Sequence, residues 1–333
     1  VRFAGAYHGW WDDVQPGPGN PMPPGEVLTL ADMSERSLQV IKTRQDLACV
    51  LVNPLQSLHP NTNAPSDSTL IDGSRRIEPA SREAYSAWLQ KLQEACQANG
   101  VALILDEVFV GFRLALGGAQ EYFEVSADMV CYGKTIAGGF PIGAVCGRAP
   151  WMKRYKPGKP ADICFARGTF NAHPTVMASM DAFLNLATSQ PIQERYLQQE
   201  SVWVQRLKRF NEAFAENHIP VRVHGLQSIW TVSYSQPSRY HWMYQFYLRD
   251  EGLALSWVGT GRMIFSQNFD ETDMEVVLEK MLSAAKRMKD DGWWWTTPET
   301  THQSLRKKVS REIRNQWLKP LRMLVSSNSP LSK

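Results

Sequence analysis

The sequence predicts an α/β protein, a large domain on a mostly parallel sheet followed by a smaller α+β domain. Three observations predict it. A helical stripe over residues 81–99 runs straight into the apolar stretch Val101-Ala102-Leu103-Ile104-Leu105, which stops at Asp106-Glu107. Such a stretch directly after a helix marks a parallel strand covered on both faces. Residues 127–132 repeat the pattern and stop at Gly133-Lys134. Beyond about residue 175 the order changes to helices followed by extended runs, the arrangement of an α+β unit.

The elements follow in chain order. Residues 1–9 form a short extended run broken by glycine, and the prolines and glycines of 15–25 hold neither a helix nor a central strand. The apolar run 48–52 is a strand that ends at Asn53-Pro54. Residues 59–76 are polar and turn-rich. In the helix over 81–99, Tyr85, Trp88, Leu89, Leu92 and Cys96 recur at helical spacing, with Ser81 as N-cap and Gly100 as stop. Residues 175–187 and 191–217 read as helices, 221–234 and 253–265 as strands, and 271–289 as an amphipathic helix. After Trp293-Trp294-Trp295 the basic tail reads as a solvated helical face packing a Leu305, Val309, Ile313 and Trp317 stripe. The domains expected are 1–188, 189–292 and a basic helical tail, 293–333.

At about 150 residues per domain, 333 residues make one large or two ordinary domains. A formal net charge of +3 is too small to indicate a nucleic-acid partner. No apolar run is long enough to span a membrane, and neither a membrane span nor a leader is expected. Five cysteines without a CxxC pair suggest neither disulfides nor a metal site, and fit a reducing, cytoplasmic setting.

Lys134 is the most informative residue. It stands where an apolar strand gives way to Gly138-Gly139-Phe140-Pro141-Ile142-Gly143. A lysine in that place is costly to desolvate, so a depressed pKa or a covalent partner is expected. Gly133-Lys134-Thr135 is not a Walker A, because the glycine required five residues upstream is Asp128. No GxGxxG follows any strand, which removes the usual dinucleotide fold. Asp106 lies 28 residues before Lys134, enough for one crossover and a return strand on the same rim of the sheet. An amine able to form a Schiff base, beside a carboxylate able to hold a protonated ring nitrogen, suits pyridoxal phosphate chemistry.

Leu103-Ile104-Leu105-Asp106-Glu107-Val108-Phe109-Val110-Gly111-Phe112-Arg113 and Gly133-Lys134-Thr135-Ile136-Ala137-Gly138-Gly139-Phe140-Pro141-Ile142-Gly143-Ala144 resemble the two signature blocks of class III aminotransferases. The resemblance is strongest to the glutamate-1-semialdehyde aminomutase branch, which includes aminotransferase modules of polyketide and peptide synthases. It implies a fold type I enzyme using pyridoxal 5'-phosphate, with Lys134 as the Schiff-base and proton-transfer residue and Asp106 as the ring-nitrogen partner. Tyr7 and His8 of Tyr7-His8-Gly9 match the segment stacked on the cofactor ring, and Val108 matches the cover of its other face. Gln56 corresponds to a polar residue near the ring oxygen, and Thr169 to the threonine that binds the phosphate across a homodimer interface.

The chain departs from the family at Asn53, where Glu is usual. The family's phosphate-cradling segment and N-terminal arm precede Tyr-His-Gly, so the chain is expected to lack roughly a hundred residues at that end. The implied reaction moves an amino group from an amino-acid donor to a keto or aldehyde acceptor, including acceptors held on a carrier protein. A 2,1-aminomutase and a non-catalytic dimerisation scaffold are the alternatives.

Overall fold

The computed structural model describes residues 1–3, 27–30, 33–55, 82–152, 168–255 and 262–301, with scattered positions of a final helix up to 318. β1 (Arg2–Phe3) pairs in parallel with β2 (Thr29–Leu30). Val1 exchanges backbone hydrogen bonds with Cys49 and Leu51, which sets this pair beside the main sheet. After α1 (Glu35–Thr43) the main sheet is built in the order β3 (Cys49–Val52), β4 (Ala102–Asp106), β5 (Met129–Gly133), β6 (Gly143–Gly147). β3, β4 and β5 are parallel and β6 runs antiparallel to β5. The mostly parallel α/β sheet expected from the apolar runs is therefore present.

Between β3 and β4 the chain forms α2 (Arg82–Ala98). Its Tyr85, Trp88, Leu89, Leu92 and Cys96 are all buried, in one core with Val50, Val52, Leu103 and Leu105. This is the apolar stripe of a crossover helix laid on a sheet. Tyr85 meets Phe123 edge-on at 5.0 Å and donates its hydroxyl to the Pro54 carbonyl at 2.6 Å, which holds the chain just beyond β3. α3 (Gly118–Phe123) joins β4 to β5. Ser81 lies outside the described residues.

Past α4 (Ala149–Met152), α5 (Pro174–Ala187) and α6 (Gln190–Glu216) form where helices were expected. A second core surrounds Trp230, whose ring is 5.0 Å from Phe210 and 4.9 Å from Phe265. It is covered by the antiparallel sheet β7 (Val221–Leu226), β8 (Ile229–Tyr234), β9 (Arg262–Ile264), with α7 (Tyr244–Asp250) and α8 (Glu271–Asp290). α8 begins with a reciprocal capping box between Asp270 and Asp273. Trp294 packs on Tyr234 and Tyr244 and donates to the Ala285 carbonyl at 2.9 Å.

Two expectations are corrected. The run 221–234 is a hairpin rather than one strand: it turns at Gln227-Ser228, with Gln227 left-handed. Fourteen extended residues would reach about 46 Å, far beyond a sheet this small. The strand expected over 253–265 is reduced, among the described residues, to the three residues of β9. Residues 253–255 finish the turn out of α7 instead, with the Leu253 amide bonded back to Leu248.

Among the described residues no helix is long and apolar enough to cross a membrane. α5 is the unusual element: its sequence is rich in apolar residues, yet only Ala187 is buried. Phe140, Val145, Trp151, Phe170 and Leu186 are also exposed.

Candidate active site

The register of the parallel strands collects the site. Val52 lies opposite Leu105 and Asp106 opposite Cys131. Asn53, Asp106 and Lys134 therefore leave the carboxyl ends of three adjacent strands, where open α/β sheets bind ligands. Asp106 is 8% exposed, and its Oδ1 accepts the Val108 N–H at 3.0 Å. Asn53, also buried, donates its Nδ2 to the Asp106 carbonyl at 3.4 Å.

Burial pushes the pKa of Asp106 up, against the smaller opposing pulls of the Val108 N–H, the Lys134 charge and the Asn53 amide. A glutamate at position 53 would add a second negative charge here and drive Asp106 further toward its neutral form. Asparagine supports the ionised form instead.

Lys134 opens a 3-10 turn, Lys134–Ala137, with its backbone in the left-handed region at φ 44°. The residue before it is a closely packed glycine. A Cβ on Gly133 would sit 3.1 Å from Val108 Cγ1 and 3.2 Å from the Ile142 carbonyl. That close approach brings Val108 against the backbone that carries Lys134. Asp106 and Lys134 thus share one rim of the sheet, as their spacing suggested, and Val108, singled out only by the resemblance, lies beside Gly133. The burial expected of Lys134 is not found: the residue is exposed, at the first position of the turn that follows β5.

The loop that follows Asp106 is held from the far side of the molecule. Phe112 is left-handed at φ 61°, a costly conformation for a residue with a side chain. Tyr196 of α6 donates its hydroxyl to the Phe112 carbonyl at 2.7 Å, and Gln199 donates to the Leu114 carbonyl at 2.7 Å. Gln267 donates to the Arg113 carbonyl at 3.0 Å and to Gln199 at 3.1 Å. The Phe112 ring then lies 5.9 Å from Tyr132 of β5 and 5.1 Å from Phe183 of α5. Sequence reasoning missed this clamp, since its partners are some 84 to 154 positions apart.

Thr169 is exposed in the turn before α5. Tyr7, His8 and Gln56 lie outside the described residues. Glu107 was noted in the sequence only as the end of an apolar run. In the fold it is 1% exposed and accepts the N–H groups of Ala119 at 2.6 Å and Gln120 at 3.3 Å. Burial pushes its pKa up to about 7.

A buried carboxylate and a lysine on neighbouring strand ends form an acid–base pair suited to a ring that carries a proton. The sequence matches the family model for class-III aminotransferases over residues 81–284, more than half of the chain. The chain belongs to the class-III aminotransferase family. Within it, the chain is similar to glutamate-1-semialdehyde 2,1-aminomutase of Hydrogenobaculum sp. (strain Y04AAS1), at 32% identity over 71% of this chain and 53% of that protein. The corresponding protein of Hyperthermus butylicus is 36% identical over 58% of this chain and 43% of its own length. The chain thus spans about half the length of these curated relatives. Among solved structures, a transaminase with PLP bound matches 87% of this chain and 68% of its own at a TM-score of 0.66 and 29% identity. An omega-transaminase from Sphaerobacter thermophilus shares the fold at a TM-score of 0.67 and 24% identity, covering 86% of this chain and 68% of its own.

Proposed function

We propose that this chain is a pyridoxal-5'-phosphate-dependent transaminase, moving an amino group from an amino-acid donor to a keto or aldehyde acceptor. The observation that carries the reading is the Asp106–Lys134 pair at adjacent carboxyl ends, with Val108 packed on Gly133 between them. The residues fit the cofactor: a buried carboxylate for its ring nitrogen, a primary amine on the next strand, and a branched side chain beside both. When bound, the cofactor supplies an aldehyde that takes up amines and a ring that draws electrons from the neighbouring carbon.

The chain's own residues do the rest. Asp106 would hold the ring proton; the Val108 N–H aims its carboxylate, and that bond, the Lys134 charge and the Asn53 amide partly offset the burial that raises its pKa. Lys134 Nζ would hold the cofactor's aldehyde, and the same amine is placed to give and take a proton at the reacting carbon. Val108 would cover the ring on one side, and Tyr7, His8 and Gln56 would take the roles that the family resemblance implies. The open apolar face of α5, with Phe140, Phe170 and Leu186, supports a homodimer in which Thr169 reaches the partner's phosphate site. We propose a division into 1–188, 189–292 and the tail 293–333; two cores favour two units, although Leu226 and Ile229 join the first core and Trp293 and Trp294 pack on the second.

The name carried by the relatives, glutamate-1-semialdehyde 2,1-aminomutase, favours a second reading: amino transfer within one molecule, without an external donor. Added cofactor should give the purified chain a visible absorbance band. Turnover of an amino-aldehyde without an amino donor would select the aminomutase. An obligatory donor would select the transaminase, and carrier-bound against free acceptors would then be compared. A chain that takes up no cofactor would be a scaffold and not an enzyme.

A further inference from the structure

Glu107 is a buried carboxylate that the proposed chemistry leaves unused. Its backbone N–H donates to the Cys131 carbonyl at 2.9 Å, and its own carbonyl accepts the Gly111 N–H at 2.8 Å. Its side chain reaches to the far end of the same loop and takes the Ala119 and Gln120 N–H groups at the start of α3. The loop of residues 108–118 therefore leaves Glu107 and is tied back to it twice.

Two glycines permit the closure. A Cβ on Gly111 would come within 2.7 Å of the Glu107 carbonyl. A Cβ on Gly118, left-handed at φ 73°, would collide with Glu107 Oε2. A carboxylate this deeply buried is costly, and a serine or asparagine cap would satisfy the start of a short helix at less expense. The extra reach of a glutamate makes sense if the thing held is the loop.

We propose that Glu107 is a positioning residue whose side chain closes the 108–118 loop, fixing the Val108 N–H that aims Asp106 and the Val108 side chain packed on Gly133. The role toward the cofactor rests on the reading of Asp106 and Lys134 given above. The role in the loop stands without it.

The test is hydrogen exchange on the cofactor-free chain at pH 8, comparing wild type with Glu107→Gln over peptides 108–113 and 118–122. Glutamine is isosteric but keeps only one acceptor. Exchange about tenfold faster in both peptides is expected, the loss of one hydrogen bond to a charged group. Faster exchange in 118–122 alone would make Glu107 a helix cap and overturn the proposal. Should Glu107→Gln not fold, Gly118→Ala pushes on the same carboxylate from the loop side and is expected to loosen 108–113 equally. An unchanged 108–113 in that variant overturns the proposal as well. Pyridoxal phosphate titrated into both proteins supplies a second arm, with half-saturation of the visible band about tenfold weaker in Glu107→Gln. An unchanged half-saturation overturns the link to the cofactor. A wild type with no band, but with the exchange result as expected, counts against the aminotransferase reading and leaves the positioning role standing.

Discussion

Replacing Asp106 by asparagine should leave the cofactor-free protein at least as stable as wild type at neutral pH. The carboxyl is buried at the end of β4, and burial is the largest influence on its pKa, pushing it up. As placed, the charge is less comfortable in the fold than in water. Asparagine has the same shape and can still accept the Val108 N–H, at about 1 kcal/mol instead of the roughly 1.5–3 kcal/mol of a charged acceptor. It forgoes the attraction of an exposed Lys134, about 1 kcal/mol or less. Against these losses stands the relief of a buried ion, which costs several kcal/mol in effective terms. The balance lies between zero and about 2 kcal/mol in favour of asparagine.

The sign with pH follows from the raised pKa. The folded state holds the proton more tightly, so the stability due to Asp106 is fully present in acid and lost as pH rises. The advantage of Asp106→Asn should therefore vanish near pH 4 and open toward pH 7.5. Urea denaturation of both proteins across that range measures it. A variant less stable than wild type by more than about 1 kcal/mol at pH 7.5 would refute the picture of a strained functional charge. Saturating cofactor should reverse the ranking, since it stabilises only the protein that binds it.

Three further outcomes follow from the same geometry. Because burial raises Glu107 to about 7, stability should fall by about 3 kcal/mol as pH rises from about 4.5 to about 7, and Glu107→Gln should flatten that slope in denaturant titrations. Gly118→Ala forces a side chain into a left-handed position and against Glu107, and should lower stability by about 1–3 kcal/mol in urea unfolding. Tyr196→Phe removes one hydrogen bond to the strained Phe112 carbonyl, and should cost about 1 kcal/mol and speed hydrogen exchange around 112–114.

Much of the fold was legible because it depends on local periodicity. The α2 stripe at Tyr85, Trp88, Leu89, Leu92 and Cys96 needs only a 3.6-residue repeat to be seen, and β4 needs only an unbroken apolar run. Asp106 and Lys134 were legible as polar residues ending two such runs, and parallel register then placed them side by side. Features set by tertiary closure were not. The turn at Gln227-Ser228 carries no glycine or proline and hides inside an apolar stretch. Lys134 looked buried because it follows an apolar strand, but it is exposed at the start of the next turn, with its backbone left-handed. Tyr196, Gln199 and Gln267 are unremarkable in sequence, and only the packing of α6 and the 266–269 turn against the loop gives them work. For Glu107 a faint signal existed: a second acid after a buried run, with Gly118 eleven positions on.

The assignment of Lys134 is tested most directly by borohydride reduction of the chain with pyridoxal phosphate, followed by peptide mass mapping. A visible band that reduction abolishes, with the added mass confined to the peptide bearing Lys134 and lost in Lys134→Ala, is the expected result. A band that survives in Lys134→Ala, or an adduct carried by another lysine, would contradict the assignment.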